Sequence, residues 1–310
     1  MLRVRSDDSS RHRERRGHHS GRGLWPWILT LVLLVASIGS ALALASRGGD
    51  EPGLGRDTVN GPPVGNPEEG SQPAAVRAAL PIRRLRVGRG ANAAVIAYRG
   101  RLETERPAVV FLHGWGVTIS RYDGWIDHLV RLGDTVIAPR YQTSPQADPA
   151  GVRAAAVAGV RRALDRVQVT PGTLVMAGHS AGGALAADLA VVASSGSALP
   201  RPAAIFAVFP GRAILGYPGG IPAQPLSKLP RATRLTALAG ADDRIVGQAP
   251  ARAMADAATT LPSSRRRFIL VKDPRVDDHY APTRDGRAAQ RAFWHRLDRL
   301  SLRARATARR

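Results

Sequence analysis

Four stretches of different character follow one another along the chain. Residues 1–23 are polar and basic and have no apolar period. Residues 24–45 (LWPWILTLVLLVASIGSALALA) are apolar and carry no charge. Residues 46–76 are rich in Gly, Pro and acidic side chains. From residue 77 to residue 310, short apolar runs alternate with amphipathic stretches. In this last region runs such as AVVFL and TLVMA are continuously apolar, the pattern of strands covered on both faces in a parallel sheet. The pattern predicts strands over 82–88, 93–98, 107–112, 134–138, 173–178, 203–209, 234–239 and 266–271. Helices are predicted over 120–132, 150–167, 181–194, 250–259 and 285–300, with an arginine-rich tail after Ser301. Two early strands with no helix between them predict an antiparallel start, and the later alternation predicts a doubly wound α/β sheet with helices on both faces.

The 22 residues of 24–45 would make a helix about 33 Å long, enough to cross a hydrocarbon core of about 30 Å. Trp25 and Trp27 stand at one end as interfacial anchors, and Pro26 falls in the first turn, where a missing N–H costs least. Arg3, Arg5, Arg11, Arg13, Arg15, Arg16 and Arg22 precede the segment, whereas only Arg47 and Arg56 follow it closely. The positive-inside bias then predicts a single-pass membrane anchor with a cytoplasmic basic tail and an extracytoplasmic domain. The alternative is a signal peptide cleaved near Ala45, since Ala43-Leu44-Ala45 fits the small-residue cleavage pattern. Residues 46–76 read as a flexible spacer between that segment and the domain of 77–310.

The chain lacks cysteine. That excludes disulfides, a thiolate nucleophile and Cys-ligated metal. The formal charge is +21, and only Lys228 and Lys272 are lysines, so arginine carries nearly all of it. Such a charge suits attraction to anionic lipid or cell-wall polymers, or else it is a solvated surface. Nucleic acid is not expected, because no helix-turn-helix, zinc-finger or aromatic-basic pattern accompanies the charge.

The chemistry concentrates at strand ends. Gly178-His179-Ser180-Ala181-Gly182 follows an apolar strand and precedes an alanine-rich helix, the context that a G-x-S-x-G nucleophile elbow requires. Such a turn lifts the serine Oγ above the sheet and aims a helix N-terminus at developing negative charge. Phe111-Leu112-His113-Gly114-Trp115-Gly116 ends another strand in a glycine turn, whose backbone N–H groups suit an oxyanion. The base is sought among eight histidines. His12, His18 and His19 precede the apolar segment, His113 and His179 belong to the two turns, and His128 and His295 fall in predicted helices. His279 remains, in a loop (Val276-Asp277-Asp278-His279-Tyr280) beyond the last strand. No histidine and carboxylate cluster stands at metal-ligand spacing beside it.

These motifs, with Gly240-Ala241-Asp242-Asp243-Arg244-Ile245-Val246 between the elbow and His279, occur in an order that resembles the α/β-hydrolase superfamily in its bacterial lipase/esterase-like branch. The resemblance spans roughly residues 82–300. It implies an eight-stranded, mostly parallel sheet and a serine hydrolase of a carboxylic ester or related acyl bond, working through an acyl-enzyme without metal or organic cofactor. It implies a Ser180–Asp243–His279 triad, with the N–H groups of Trp115 and Ala181 as oxyanion donors. The alignment of Gly240 and Val246 favours Asp243 as the acid over its neighbour Asp242. An acyltransferase or peptidase would use the same three residues, and a non-catalytic membrane- or wall-binding module would use only the charge. The expected partner is a small ester or lipid-like substrate. Residues 210–233 are apolar for a loop and form either a cap over the site or a packed surface loop.

Overall fold

A computed structural model describes residues 80–196 and 199–310. The anchor or signal segment at 24–45, the basic tail before it, the whole spacer of 46–76 and the first three residues of the domain lie outside the described residues. Among the described residues no helix is long and apolar enough to cross a membrane.

Eight strands form one sheet: β1 Arg83–Val87, β2 Ala93–Tyr98, β3 Ala108–Leu112, β4 Thr135–Arg140, β5 Val175–His179, β6 Ala204–Val208, β7 Arg234–Gly240 and β8 Arg266–Val271. Their order is β1-β2-β4-β3-β5-β6-β7-β8. Only β2 runs against the rest, pairing antiparallel with β1 and with β4. The remaining neighbours pair in parallel.

The helices are α1 Asp123–Arg131, α2 Val152–Leu164, α3 Ala181–Ser194, α4 Ala249–Ala257, the short α5 Arg287–Ala289 and α6 His295–Ala308, with a π-helical turn Gln290–Trp294 between the last two. All five residues of β3 are buried. Ala108, Val110 and Leu112 join a core with residues of α2, α3 and α4, whereas Val109 and Phe111 join a second core with α1 and α6. That two-sided covering explains why AVVFL is apolar at every position rather than at every second one. The antiparallel start has the opposite look, since β1 is half exposed and carries three arginines at the sheet edge. Charges of this kind discourage pairing with another strand.

The C-terminus departs from expectation. Residues after Ser301 are not a tail, because α6 continues to Ala308. Ser301 and Ala304 are buried. Ser301 donates to Asp134 at 2.9 Å, and Arg305 donates to the Leu132 carbonyl at 2.8 Å. The helix is therefore held by the α1–β4 turn. Leu297, Ser301 and Ala304 share one helical face, a period obscured by the arginines between them.

Candidate active site

The strand order reverses where β4 and β5 flank β3. A crevice opens there at the carboxyl ends of the strands, the place where open α/β sheets gather their ligands. The turn after β3 and the turn after β5 both face it.

Ser180 links β5 directly to α3 with φ 56° and ψ −124°. Left-handed φ is rare for a residue with a side chain, and its cost is carried by the surrounding packing. The flanking glycines are required by contact. A Cβ on Gly178 would lie 2.3 Å from the Gly182 carbonyl oxygen, and one on Gly182 would lie 2.2 Å from that of Leu112. The Ser180 N–H bonds Val208 at 2.9 Å, and its carbonyl accepts from Ala184 and Gly211. The backbone is pinned on both sides, which leaves Oγ to project.

Oγ lies 3.0 Å from His279 Nε2, and His279 Nδ1–H donates to Asp243 Oδ2 at 2.7 Å. The other Asp243 oxygen accepts N–H bonds from Ile245 and Val246, each at 3.0 Å. Burial alone would raise the Asp243 carboxyl. The hydrogen bond from His279 and those from Val246 and Ile245 outweigh it and hold the pKa below the ordinary carboxylate range. Asp243 is thus charged where it meets the imidazole. Asp242, in contrast, is exposed and pairs with Arg244 at 2.9 Å. Asp278 is likewise turned away and pairs with Arg284 at 2.6 Å.

The turn after β3 is ordered by its neighbours. Gly116 donates to Gln142 Oε1 at 2.8 Å, and Gly114 donates to Tyr122 Oη at 3.1 Å. The N–H of Trp115, between them, has no partner among the described residues. Ala181 opens α3, so its N–H has no partner within the helix. These are two uncommitted donors beside Ser180. His113 points away from the crevice, stacking on Tyr141 with ring centroids 4.3 Å apart and bonding the Gly114 carbonyl at 2.8 Å.

A second chain of hydrogen bonds runs beneath the first. Tyr122 O–H donates to His179 Nδ1 at 2.8 Å, and His179 Nε2–H donates to the His279 carbonyl at 2.8 Å. A carbonyl can only accept, so the tautomer follows. Through Tyr122 and His179 the turn bearing Trp115 is tied to the loop bearing His279. Phe209, buried at the end of β6 with φ 48°, sets its ring beside both histidines. In the sequence His179 stands only as part of the elbow, and Tyr122 and Phe209 lie outside every motif. No local pattern marks either, because their partners are distant in the chain.

Burial, only partly opposed by the bond to Gly114, lowers the pKa of His113 to about 4. Burial and then the neighbouring His279 lower that of His179 to about 3. Both histidines are neutral when folded and titrate near 6.5 when unfolded, so below pH 6.5 the unfolded chain binds more protons. Their contribution to stability is complete above about pH 6.5 and is lost progressively as pH falls through the folded values, about 4 for His113 and about 3 for His179. Going from pH 7 to pH 5 should cost about 2 kcal/mol for each. Urea unfolding followed by tryptophan fluorescence at the two pH values checks this. An unfolding free energy that is unchanged or larger at pH 5 would contradict the assignment of both as buried and neutral.

Residues 210–233 border the crevice. The Tyr217 ring meets Trp115 edge-on at 6.5 Å, and Tyr217 O–H donates to the Gln146 carbonyl at 2.8 Å. The segment is fastened from below. Arg212 grips fully buried Asp188 of α3 with two bonds of 2.7 and 2.8 Å, and the Gln224 N–H adds a third at 3.0 Å. Removing one member of a buried pair costs about 3–5 kcal/mol. Ile221, Leu226 and Leu229 are buried, whereas Leu215 is 72% exposed. The segment is both a packed loop and a wall beside Trp115.

A family model for the alpha/beta hydrolase fold matches residues 109–269. No curated protein sequence matches the chain. Among solved structures the chain is similar to esterase B from Lactobacillus rhamnosis HN001, with 15% identity over 92% of this chain and 98% of that one and a TM-score of 0.58. It is similar to a thermostable esterase from Pseudomonas putida, with 14% identity over 74% and 87% and a TM-score of 0.55. It is also similar to a hyperthermophilic esterase from the archaeon Pyrobaculum calidifontis, with 19% identity over 74% and 87% and a TM-score of 0.53.

Proposed function

The chain belongs to the alpha/beta-hydrolase fold family, and on that premise we propose that it is a serine hydrolase that cleaves a small carboxylic ester through an acyl-enzyme. One observation carries the reading. Ser180, at a strained elbow beside two uncommitted N–H groups, is hydrogen-bonded to His279, which is hydrogen-bonded to Asp243. The esterases similar in fold support the choice of ester as substrate.

In this reading Ser180 Oγ attacks the carbonyl carbon and His279 Nε2 takes its proton. The negative oxygen settles against the N–H groups of Trp115 and Ala181, donors worth about 3–4 kcal/mol each. His279 then protonates the departing alkoxide. Water, activated by the same nitrogen, cleaves the acyl-enzyme and returns Ser180. Asp243 holds the imidazole in the one tautomer that leaves Nε2 free to accept.

A panel of chromogenic esters of graded acyl length tests the proposal. Short esters should be hydrolysed, and Ile214→Ser with Tyr217→Ser should raise KM for hexanoate and octanoate esters by about tenfold, the scale of lost apolar contact, while acetate changes little. Equal effects at every chain length would remove the 210–233 segment from the acyl site. Absence of hydrolysis across the whole panel would sink the ester assignment.

A further inference from the structure

A second concavity lies at the opposite end of the sheet. It encloses about 210 Å³ between the amino-terminal ends of β7 and β8 and the flank of α6. Arg234 begins β7, Arg265 ends the turn before β8, and Arg267 lies in β8. Arg296, Arg299 and Arg303 come from α6, where spacings of three and four bring them to one helical face. No acidic residue lines the cavity. Among the described residues none of the six arginines is ion-paired to a carboxylate, although eight other arginines of the domain are.

We propose that this cavity is a binding site for a phosphoryl anion, held by the six guanidinium groups far from the chemistry at Ser180. Several observations separate it from a merely solvated basic surface. The arginines line one concave space from four elements, Arg234, Arg265 and Arg296 half-buried and Arg267, Arg299 and Arg303 exposed at its rim. No carboxylate lining the cavity relieves their mutual repulsion, and the protein offers only backbone carbonyls, that of Ala232 to Arg265 at 2.6 Å and that of Ser264 to Arg234 at 3.5 Å. Burial, and then Arg265 and Arg303, lower the pKa of Arg234, and burial, then Arg299 and Arg267, lower that of Arg296. The Nε–H of Arg296 is buried without an acceptor. A buried donor left unpaired costs free energy that an arriving oxyanion returns. Guanidinium forks match phosphate oxygens two at a time, which a lysine cannot do. The bound group would not meet the nucleophile, because β7 alone puts about 20 Å of strand between its two ends. The site therefore holds an anchor or effector and not the ester being cleaved.

The phosphoryl group has two possible sources, a lipid headgroup or a free phosphate. Titration calorimetry on the full chain in non-ionic micelles at low ionic strength distinguishes them, with inorganic phosphate and glycerophosphoglycerol, a soluble phosphodiester headgroup, as probes. At least one probe should bind with a stoichiometry near one. The triple variant Arg267→Gln, Arg299→Gln, Arg303→Gln should lose at least tenfold in affinity. A control with the same charge loss at exposed positions elsewhere, Arg89→Gln, Arg121→Gln, Arg161→Gln, should stay within about twofold. Tighter binding of the diester identifies a headgroup, and tighter binding of inorganic phosphate identifies a free phosphate. Equal losses in the two triple variants would reduce the effect to net charge and overturn the proposal, as would the failure of the wild-type chain to bind either probe. Unchanged hydrolysis of an acetate ester by the pocket variant, with an unchanged melting curve, would show that its fold is intact. If the variant instead unfolds, Arg299→Gln alone, an exposed side chain, replaces it in the same titration.

Discussion

Replacing Ser180 with alanine should lower kcat on an acetate ester by about 10⁶-fold, and His279→Ala should do nearly the same. The reason is geometric. Oγ is a poor nucleophile until Nε2, 3.0 Å away, removes its proton, and Nε2 has no other alkoxide to generate. The two groups act as one device, so the double variant should be little worse than either single one. What activity survives would come from the N–H donors and from binding alone. A fluorophosphonate probe gives a second measurement, since it should label Ser180 in the wild-type chain and nothing in Ser180→Ala. Labelling that persists in that variant, or single-variant losses that multiply in the double variant, would dismantle the assignment.

The second large effect separates two adjacent aspartates. Asp243→Asn should lower kcat by about 10⁴-fold, because an amide can donate its N–H to Nδ1 and so stabilise the tautomer whose Nε2 carries the proton. Asp242→Asn should stay within about twofold, since its partner is the exposed Arg244. Asp243 is buried, and its carboxylate also receives the Ile245 and Val246 N–H groups. Circular dichroism must therefore accompany the kinetics, so that a distorted turn is not mistaken for a lost orienter. An impaired Asp242→Asn beside an active Asp243→Asn would reverse the assignment.

How far these residues could be read beforehand depended on how local their signals are. The central strands were visible because a strand buried on both faces has no room for polar side chains, as Val109 and Val110 show by serving opposite cores, whereas the edge strands β1 and β8 keep arginines among their apolar positions. The elbow was visible because the turn packs its two glycines into one short motif, Gly178 against the Gly182 carbonyl, even though Gly182 is also forced by the distant Leu112 carbonyl. Asp243 was separable from Asp242 only through likeness to a family, since both stand at the end of the same strand. The structure distinguishes them by burial and by the direction of the turn. Tyr122 and His179 could not be joined from sequence, because their contact spans 57 positions. The end of α6 was hidden by its arginines, whose stems can cover apolar surface while their heads reach water.

The grip of Asp188 on the segment above it has a consequence for divergence among relatives. Arg212 and Gln224 both meet this one carboxylate, so the residues between them form a closed bight whose ends are fixed whatever its crest contains. Extending a loop closed in this way raises the entropic cost of closure only logarithmically, by about 0.6 kcal/mol for each doubling. Leu215 stands on that crest, in solvent. Insertions and substitutions there can remodel the rim that meets a substrate while the nucleophile's helix, below the tether, stays undisturbed. In such a design selectivity can drift without endangering the catalyst.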